Sequence, residues 1–342
     1  MHPEEDILLQ PFTTFHIGGP ARFFVRVETT AELLEALAFA KEKNLPLFIL
    51  GGGSNVLIAE EGFPGLVIKI ELRGISFTDR GEKVEAIVAA GEVWDVFVEK
   101  VVAEGFFGIE NLSGIPGTVG GTPIQNVGAY GAEVGQIIQW VEAVDTKSGE
   151  LVTLSNGDCH FSYRSSFFKS DEGRRFIITR VCFSLGKKGI PNLSYRDVRE
   201  FFAAEKNPNP SLTEVRDAIL AIRARKFPDL TKVGTAGSFF KNPIVTAEQL
   251  EPVLGLFPDL PHTLLPSGEV KIALGGLLDR LGWKGIREGD TGVFPNQALV
   301  LVNYGGAKAG DIVGLASRIS ADVKKKTGIT IAPEIIFVGE PH

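Results

Sequence analysis

The chain has 342 residues, a formal net charge of −7 and 44% hydrophobic residues, a balance that suits one or more buried cores and excludes a disordered chain. The acidic surplus argues against nucleic acid, whose phosphates need a basic face, and no apolar run approaches the length that crosses a bilayer. The opening MHPEEDILLQ lacks the cationic and apolar regions of a secretory signal, so the protein reads as cytoplasmic.

In chain order, a strand is expected over 24–27. Thr29-Thr30-Ala31-Glu32 is then a capping box opening a helix with Leu33, Leu34, Leu37, Ala38 and Ala40 as its apolar positions. A buried strand over 47–50 runs into Gly51-Gly52-Gly53-Ser54-Asn55, and another strand follows over 66–70. A second α/β unit begins with a strand over 84–89 and a helix over 93–104, then passes through the glycine-dense GIPGTVGGTPIQNVGAYG at 114–131. Strands over 137–144 and 151–154 flank the hairpin turn Thr146-Lys147-Ser148-Gly149, and a buried strand is expected over 176–185. Glycine, proline and asparagine mark a boundary over 186–210. Ser211-Leu212-Thr213-Glu214 is a second capping box, opening a helix that reaches Arg225. Helices over 247–256 and 311–326 and strands over 298–303 and 330–337 complete an α+β chain without tandem repeats. Three parts are expected: 1–72, 73–210 and 211–342.

Cys159 and Cys182, the two cysteines, fall far short of a disulfide framework or a metal sphere and read as reduced structural thiols, with no metal site. The glycine loops carry more information. Glycine lets the backbone turn through positive φ and approach a ligand closely, so that amides can form an anion nest. Two nests, at 51–54 and 117–122, suit a diphosphate, and Asn126 and Tyr130 are placed to reach a planar ring. Tight turns are the alternative reading of each loop taken alone. Neither loop matches G-x-G-x-x-G at a strand-to-helix junction and no G-x-x-x-x-G-K-[ST] occurs, which disfavours a Rossmann domain or a P-loop.

FTTFHIGGPA, LGGGSNVLI, ENLSGIPGTVGGTPIQNVGAYG, FSYRSSFF, LSYRDV, AGSFFKNP and PEIIFVG occur in that order, and in them the chain resembles the UDP-N-acetylenolpyruvoylglucosamine reductase family, flavoenzymes of peptidoglycan precursor synthesis. The likeness runs from Phe12 to Gly339. It implies an FAD-binding fold of the vanillyl-alcohol-oxidase type in two α/β subdomains, plus a C-terminal α+β substrate domain whose last strand packs back toward the flavin. It also implies NADPH as hydride-donating cosubstrate and UDP-N-acetylglucosamine enolpyruvate as substrate; a monomer is expected, and charge and hydropathy point to no nucleic-acid partner and no membrane insertion.

The residues that the resemblance assigns to FAD are Gly53, Ser54, Asn55, Pro116, Gly117, Gly121, Thr122, Ile124, Gly128 and Ala129. In the reaction it implies, an enolpyruvyl ether is reduced and negative charge develops on the carbon beside the carboxylate. Arg164 would polarise that carboxylate, a task suited to a permanently charged, planar guanidinium. Ser238 matches the proton donor and Glu334 a carboxyl that assists protonation. Tyr195 matches a lid loop found in one type of the family, and Lys226, Asn242 and Gln297 match substrate contacts, with Tyr130 and Arg223 as further candidates. Two rival readings are an oxidase on the same flavin fold and a sugar-nucleotide binder without the cofactor.

Overall fold

The structure is a computed structural model that describes residues 2–339. Its contacts divide the chain into two compact units interleaved in sequence. One takes the segments up to Asp6, Arg22–Gly52 and Pro64–Arg223; the other takes Ile7–Ala21, Gly53–Phe63 and the chain from Ala224 onward.

In the first unit, helix α1 (Thr30–Glu42) starts as the capping box requires: the Thr29 side chain accepts from the Glu32 amide, and the Glu32 carboxylate accepts from the Thr29 amide. It buries Leu33, Ala36 and Ala40, and the strand that follows it, Leu47–Leu50, pairs in parallel with Phe63–Ile70. A five-stranded antiparallel sheet follows, in the order Leu151–Ser155, Ile138–Asp145, Phe176–Gly186, Lys83–Ala89 and Ile75–Arg80. Helix α2 (Trp94–Ala103) buries Trp94, Phe97, Val98, Val101 and Val102, and the Trp94 and Phe97 rings pack on Phe183 of the sheet. Trp94 also donates its indole N–H to the Leu112 carbonyl at 2.9 Å, so burying this large side chain leaves no unpaired donor. Cys159 and Cys182 are fully buried, and burial pushes both thiols up to about 12.

The 186–210 boundary holds more structure than its glycines and prolines suggest. Helix α3 (Arg196–Ala204) buries Val198 and Phe202, and these pack with Val215, Ala218, Ile219 and Ile222 of helix α4 (Leu212–Lys226) and with Tyr130. Nine residues are too few for the apolar spacing to stand out in the sequence, and the helix is sustained by this packing. Helix α4 begins at the second capping box, with the Ser211 amide donating to the Glu214 carboxylate and the Glu214 amide to the Ser211 hydroxyl.

The second unit carries helices α5 (Ala247–Leu256), α6 (Leu274–Arg280) and α7 (Ala309–Thr327) with two three-stranded antiparallel sheets. Its core joins Phe239, Phe240, Leu274, Ile312 and Ile319 to Phe15, Ile17 and Leu57 from the early segments. The expected strand over 330–337 is shorter in the structure, Ile336–Val338, and pairs in parallel with Val56–Ile58. Pro333 has no N–H to give to a ladder, and the residues just before the strand bond elsewhere. Among the described residues no helix is long and apolar enough to cross a membrane, and no group of three or more His, Cys, Asp or Glu side chains could hold a metal ion.

Candidate active site

Within the first unit the two glycine loops meet. A Cβ on Gly52 would lie 2.5 Å from the Gly117 Cα, and one on Gly51 would lie 2.7 Å from Thr118 Oγ1. Bare backbone is therefore required where the loops touch. The longer loop is moored to the start of α2 by the Trp94 amide on the Gly117 carbonyl (3.0 Å), the Val119 amide on Glu92 and the Gly120 amide on Ala90. On the other side, the Lys69 ammonium donates to the Gly51 carbonyl at 2.5 Å, and burial pulls its pKa down. These contacts brace the two loops, and they correct the expected nest over 117–122, because the Val119 and Gly120 amides are already spent on protein carbonyls. The Gly121 and Thr122 amides donate to Thr118 and Val119 in a tight turn, so Gly121 presents an open face, with no atom within 4 Å of its Cβ position, and its N–H is spent internally.

Arg164 sits at φ 52° in a two-residue turn closed by reciprocal bonds between Ser162 and Ser165 at 3.0 and 3.1 Å. Its guanidinium lies over the Tyr163 ring, 5.7 Å from the centroid, and its carbonyl accepts from Lys169 Nζ. The turn meets the glycine loop at two points. Ser166 Oγ donates to the Ile124 carbonyl at 2.6 Å, and a Cβ on Gly128 would stand 3.4 Å from Arg164 Nη1. Pro116, Gly117, Ile124, Gly128 and Arg164 thus belong to one connected arrangement inside this unit.

Tyr130, also left-handed at φ 49°, is buried, and burial raises its hydroxyl pKa to about 12 against the opposing charge of Arg223. Arg223 donates from Nε to the Gly114 carbonyl at 2.9 Å, and desolvation pulls its pKa down while Tyr130 pulls it up. Tyr195 meets Tyr130 edge to face, with centroids 5.3 Å apart. Two asparagines that the sequence does not single out tie the Tyr195 segment to the glycine loop. Asn111 donates to the carbonyls of Tyr130 and Asn192 at 2.8 Å each, and Asn192 donates to the Gly131 carbonyl at 3.0 Å. Ala129 packs at the edge of the same small core. Asn126 corrects its expected role: its amide is buried and engaged with Glu133, Ser162 and Gly135, so it clamps protein to protein where ring contact was expected.

In the second unit, Ser238 and Glu334 stand on neighbouring stretches. The Glu334 amide donates to the Phe239 carbonyl at 2.7 Å, the Lys241 amide donates to Ala332, and Phe240 bridges Pro333. Ser238 is half-buried after Gly237, which turns at φ 76°. Asn55 donates its side-chain amide to the Glu334 backbone carbonyl at 3.4 Å and its own backbone carbonyl accepts from Ile336, so this FAD candidate braces the backbone that carries Glu334. Gly53, at φ 62°, could hold no side chain, because a Cβ would fall 1.9 Å from the Phe12 carbonyl oxygen, and Ser54 follows it into the Val56–Ile58 strand. Asn242 accepts from the first amide of α6 at 3.0 Å and Gln297 from Leu299 at 3.3 Å; both bonds use the oxygen and leave the NH₂ group for other acceptors. Lys226 ends α4.

A family model described as an FAD binding domain matches residues 21–155, and one described as UDP-N-acetylenolpyruvoylglucosamine reductase, C-terminal domain, matches residues 229–338. The UDP-N-acetylenolpyruvoylglucosamine reductase of Pseudomonas fluorescens is 42% identical over 332 residues, 97% of this chain and 97% of that protein. The crystal structure of the Thermus caldophilus UDP-N-acetylenolpyruvylglucosamine reductase superimposes with a TM-score of 0.71 at 25% identity, covering 99% and 100% of the two chains. The 6-hydroxy-D-nicotine oxidase of Arthrobacter nicotinovorans shares the fold alone, with a TM-score of 0.50 at 14% identity over 90% of this chain and 81% of that one. The expected fold class, an FAD-binding fold of the vanillyl-alcohol-oxidase type followed by a C-terminal α+β domain, agrees with these matches.

Proposed function

The chain belongs to the UDP-N-acetylenolpyruvoylglucosamine reductase family and is a flavin-dependent oxidoreductase, and from that premise we propose that it reduces the enolpyruvyl group of UDP-N-acetylglucosamine enolpyruvate to give UDP-N-acetylmuramate, with NADPH as the reductant. The contact of Gly51-Gly52 with Gly117-Thr118 supports FAD as the resident group. Gly53, Ser54, Asn55, Pro116, Gly117, Gly121, Thr122, Ile124, Gly128 and Ala129 are its proposed contacts. When bound, FAD supplies the hydride that the vinyl carbon receives and regains it from NADPH.

The chain's own residues manage the charge and the proton. As the terminal carbon gains a C–H bond, the electron pair of the double bond moves to the adjacent carbon and into the carboxylate. Arg164 pairs with that carboxylate and stabilises the charge as it builds. Ser238 then gives its hydroxyl proton to the adjacent carbon, forming the second C–H bond, and Glu334 assists that protonation. Tyr130, Tyr195, Arg223, Lys226, Asn242 and Gln297 hold the nucleotide-sugar, with the Tyr195 segment as a lid over its diphosphate. The reading takes the protein as a cytoplasmic monomer.

The observation that carries the assignment is the Glu334-to-Phe239 bond, which brings the hydroxyl and carboxyl segments together from positions far apart in the chain. Its test separates the two half-reactions by rapid mixing. Ser238→Ala is expected to leave flavin reduction by NADPH nearly intact and to slow reoxidation by the enolpyruvyl substrate by about 10²- to 10⁴-fold, the usual range for a lost proton donor. Loss of the reduction step with reoxidation preserved would overturn the serine's role.

A further inference from the structure

We propose that Asn126 is a positioning residue for Arg164, fixing where the guanidinium meets the substrate carboxylate; the inference rests on the role given to Arg164 above. Asn126 is 2% exposed and sits at φ 45°, a left-handed conformation that asparagine tolerates better than most side chains. Its amide joins three segments. Oδ1 accepts from the Gly135 amide at 2.9 Å, and Nδ2 donates to Glu133 Oε2 at 2.8 Å and to the Ser162 carbonyl at 3.0 Å. A backbone donor on one side and two acceptors on the other fix which end of the amide is oxygen.

Both donated bonds lead to Arg164. Ser162 opens the turn that carries Arg164 at φ 52°, so the Nδ2 bond anchors the turn at its first residue while Lys169 Nζ holds the Arg164 carbonyl at 3.2 Å. Glu133 lies across the gap left by Gly128: a Cβ there would stand 2.7 Å from Glu133 Cγ and 3.4 Å from Arg164 Nη1. The amide therefore ties the base of the turn to Glu133, whose Cγ and Arg164 Nη1 both border the space left by Gly128. A left-handed non-glycine residue costs energy wherever it occurs, and here Arg164 and its anchor both adopt that conformation. A buried amide serving packing alone would support the fold without discriminating between steps of the reaction. One that sets the angle of Arg164 affects only the step in which the carboxylate gains charge.

The test uses FAD-loaded Asn126→Gly, which keeps the left-handed backbone without strain and removes the amide. Reduction of the flavin by NADPH is expected to stay within about twofold, while reoxidation by UDP-N-acetylglucosamine enolpyruvate slows by about 10- to 100-fold, as small misplacements of a reacting group do. Combined with Arg164→Ala, the substitution should add no further loss, because it acts through the same guanidinium. Equal slowing of both half-reactions, or losses that multiply in the double variant, would overturn the proposal. If Asn126→Gly fails to hold FAD, Asn126→Asp keeps the acceptor for Gly135 and loses both donated bonds, and the same selective loss is expected. Arg164→Ala alone separates the two levels: wild-type reoxidation in that variant would remove the role of Arg164 itself, whatever Asn126 does.

Discussion

A single methyl group tests how closely the two glycine loops must approach. On Gly52 it would lie 2.5 Å from the Gly117 Cα and 3.0 Å from its carbonyl carbon, and backbone cannot swing aside as a long side chain can. Gly52→Ala is expected to cost about 1–3 kcal/mol, the usual penalty of overpacking, and to lower both the melting temperature of the FAD-free protein and its affinity for FAD. Gly121→Ala is the contrasting case, since its Cβ position is open: the FAD-free melting temperature should not move, while FAD affinity measured by flavin fluorescence should fall. An unchanged affinity would remove Gly121 from the cofactor contacts. At this scale the sequence is legible only where residues form a motif. Arg164, Ser238 and Glu334 are ordinary polar residues one at a time, and their candidacy comes from the segments around them. Asn126 shows the limit, because a small polar side chain among glycines suggests a ligand contact, and only burial in three dimensions reveals that its amide is consumed by the protein.

Between elements, Asp95 at the start of α2 couples that helix to α4 and to the glycine loop. Its carboxylate accepts from Arg216 at 2.6 and 2.9 Å and from the Gly114 amide at 2.5 Å. Burial raises the Asp95 pKa, but the Arg216 and Gly114 hydrogen bonds outweigh it and hold the carboxyl below its ordinary value. The stability this pair adds is thus present above the usual carboxylate range and is lost as the pH falls through the lowered folded value. Asp95→Ala should cost about 2–3 kcal/mol, less than a fully buried pair, because Arg216 is buried and Asp95 is partly exposed. Urea unfolding at neutral pH checks the loss, which should shrink in acid as the wild-type carboxylate takes up its proton; a loss unchanged down to strongly acidic pH would exclude the ion pair as its source. Elements with local signals were legible in advance, as both capping boxes show, since such a signal lies within four residues. The strand expected over 330–337 shortens to Ile336–Val338 because apolar runs do not reveal their partner, which here is Val56–Ile58, and α3 leaves no clear mark in the sequence because its support lies on α4.

For the whole molecule, the division expected at 211–342 and the interleaved units of the structure lead to different behaviour of fragments. The second unit draws Phe15, Ile17 and Leu57 into its core. It also receives hydrogen bonds that local sequence gives no hint of: the Thr235 amide donates to the Thr14 carbonyl at 2.8 Å, Asn303 donates to the Phe15 carbonyl at 3.0 Å, and the Ile336–Val338 strand has Val56–Ile58 as its ladder. Gly234 packs so closely on Phe15 that a Cβ would fall 2.1 Å from its carbonyl oxygen. Burying a large apolar side chain is worth about 1.5–3 kcal/mol, so losing three of them removes a large part of the roughly 5–15 kcal/mol that holds a domain together. A fragment of residues 211–342 should therefore show no cooperative thermal transition by circular dichroism and a collapsed range of amide shifts by NMR. A sharp transition at the midpoint of the full chain would mean that residues 7–21 and 53–63 contribute little to that core. The motifs at 12–21 and 50–58 then take on a second meaning. FTTFHIGGPA enters the sequence reading only as a motif of the resemblance and LGGGSNVLI as part of a cofactor loop, yet Phe15, Ile17 and Leu57 are core residues of the unit that bears Ser238 and Glu334, so substitutions there should impair folding of the Ser238 segment.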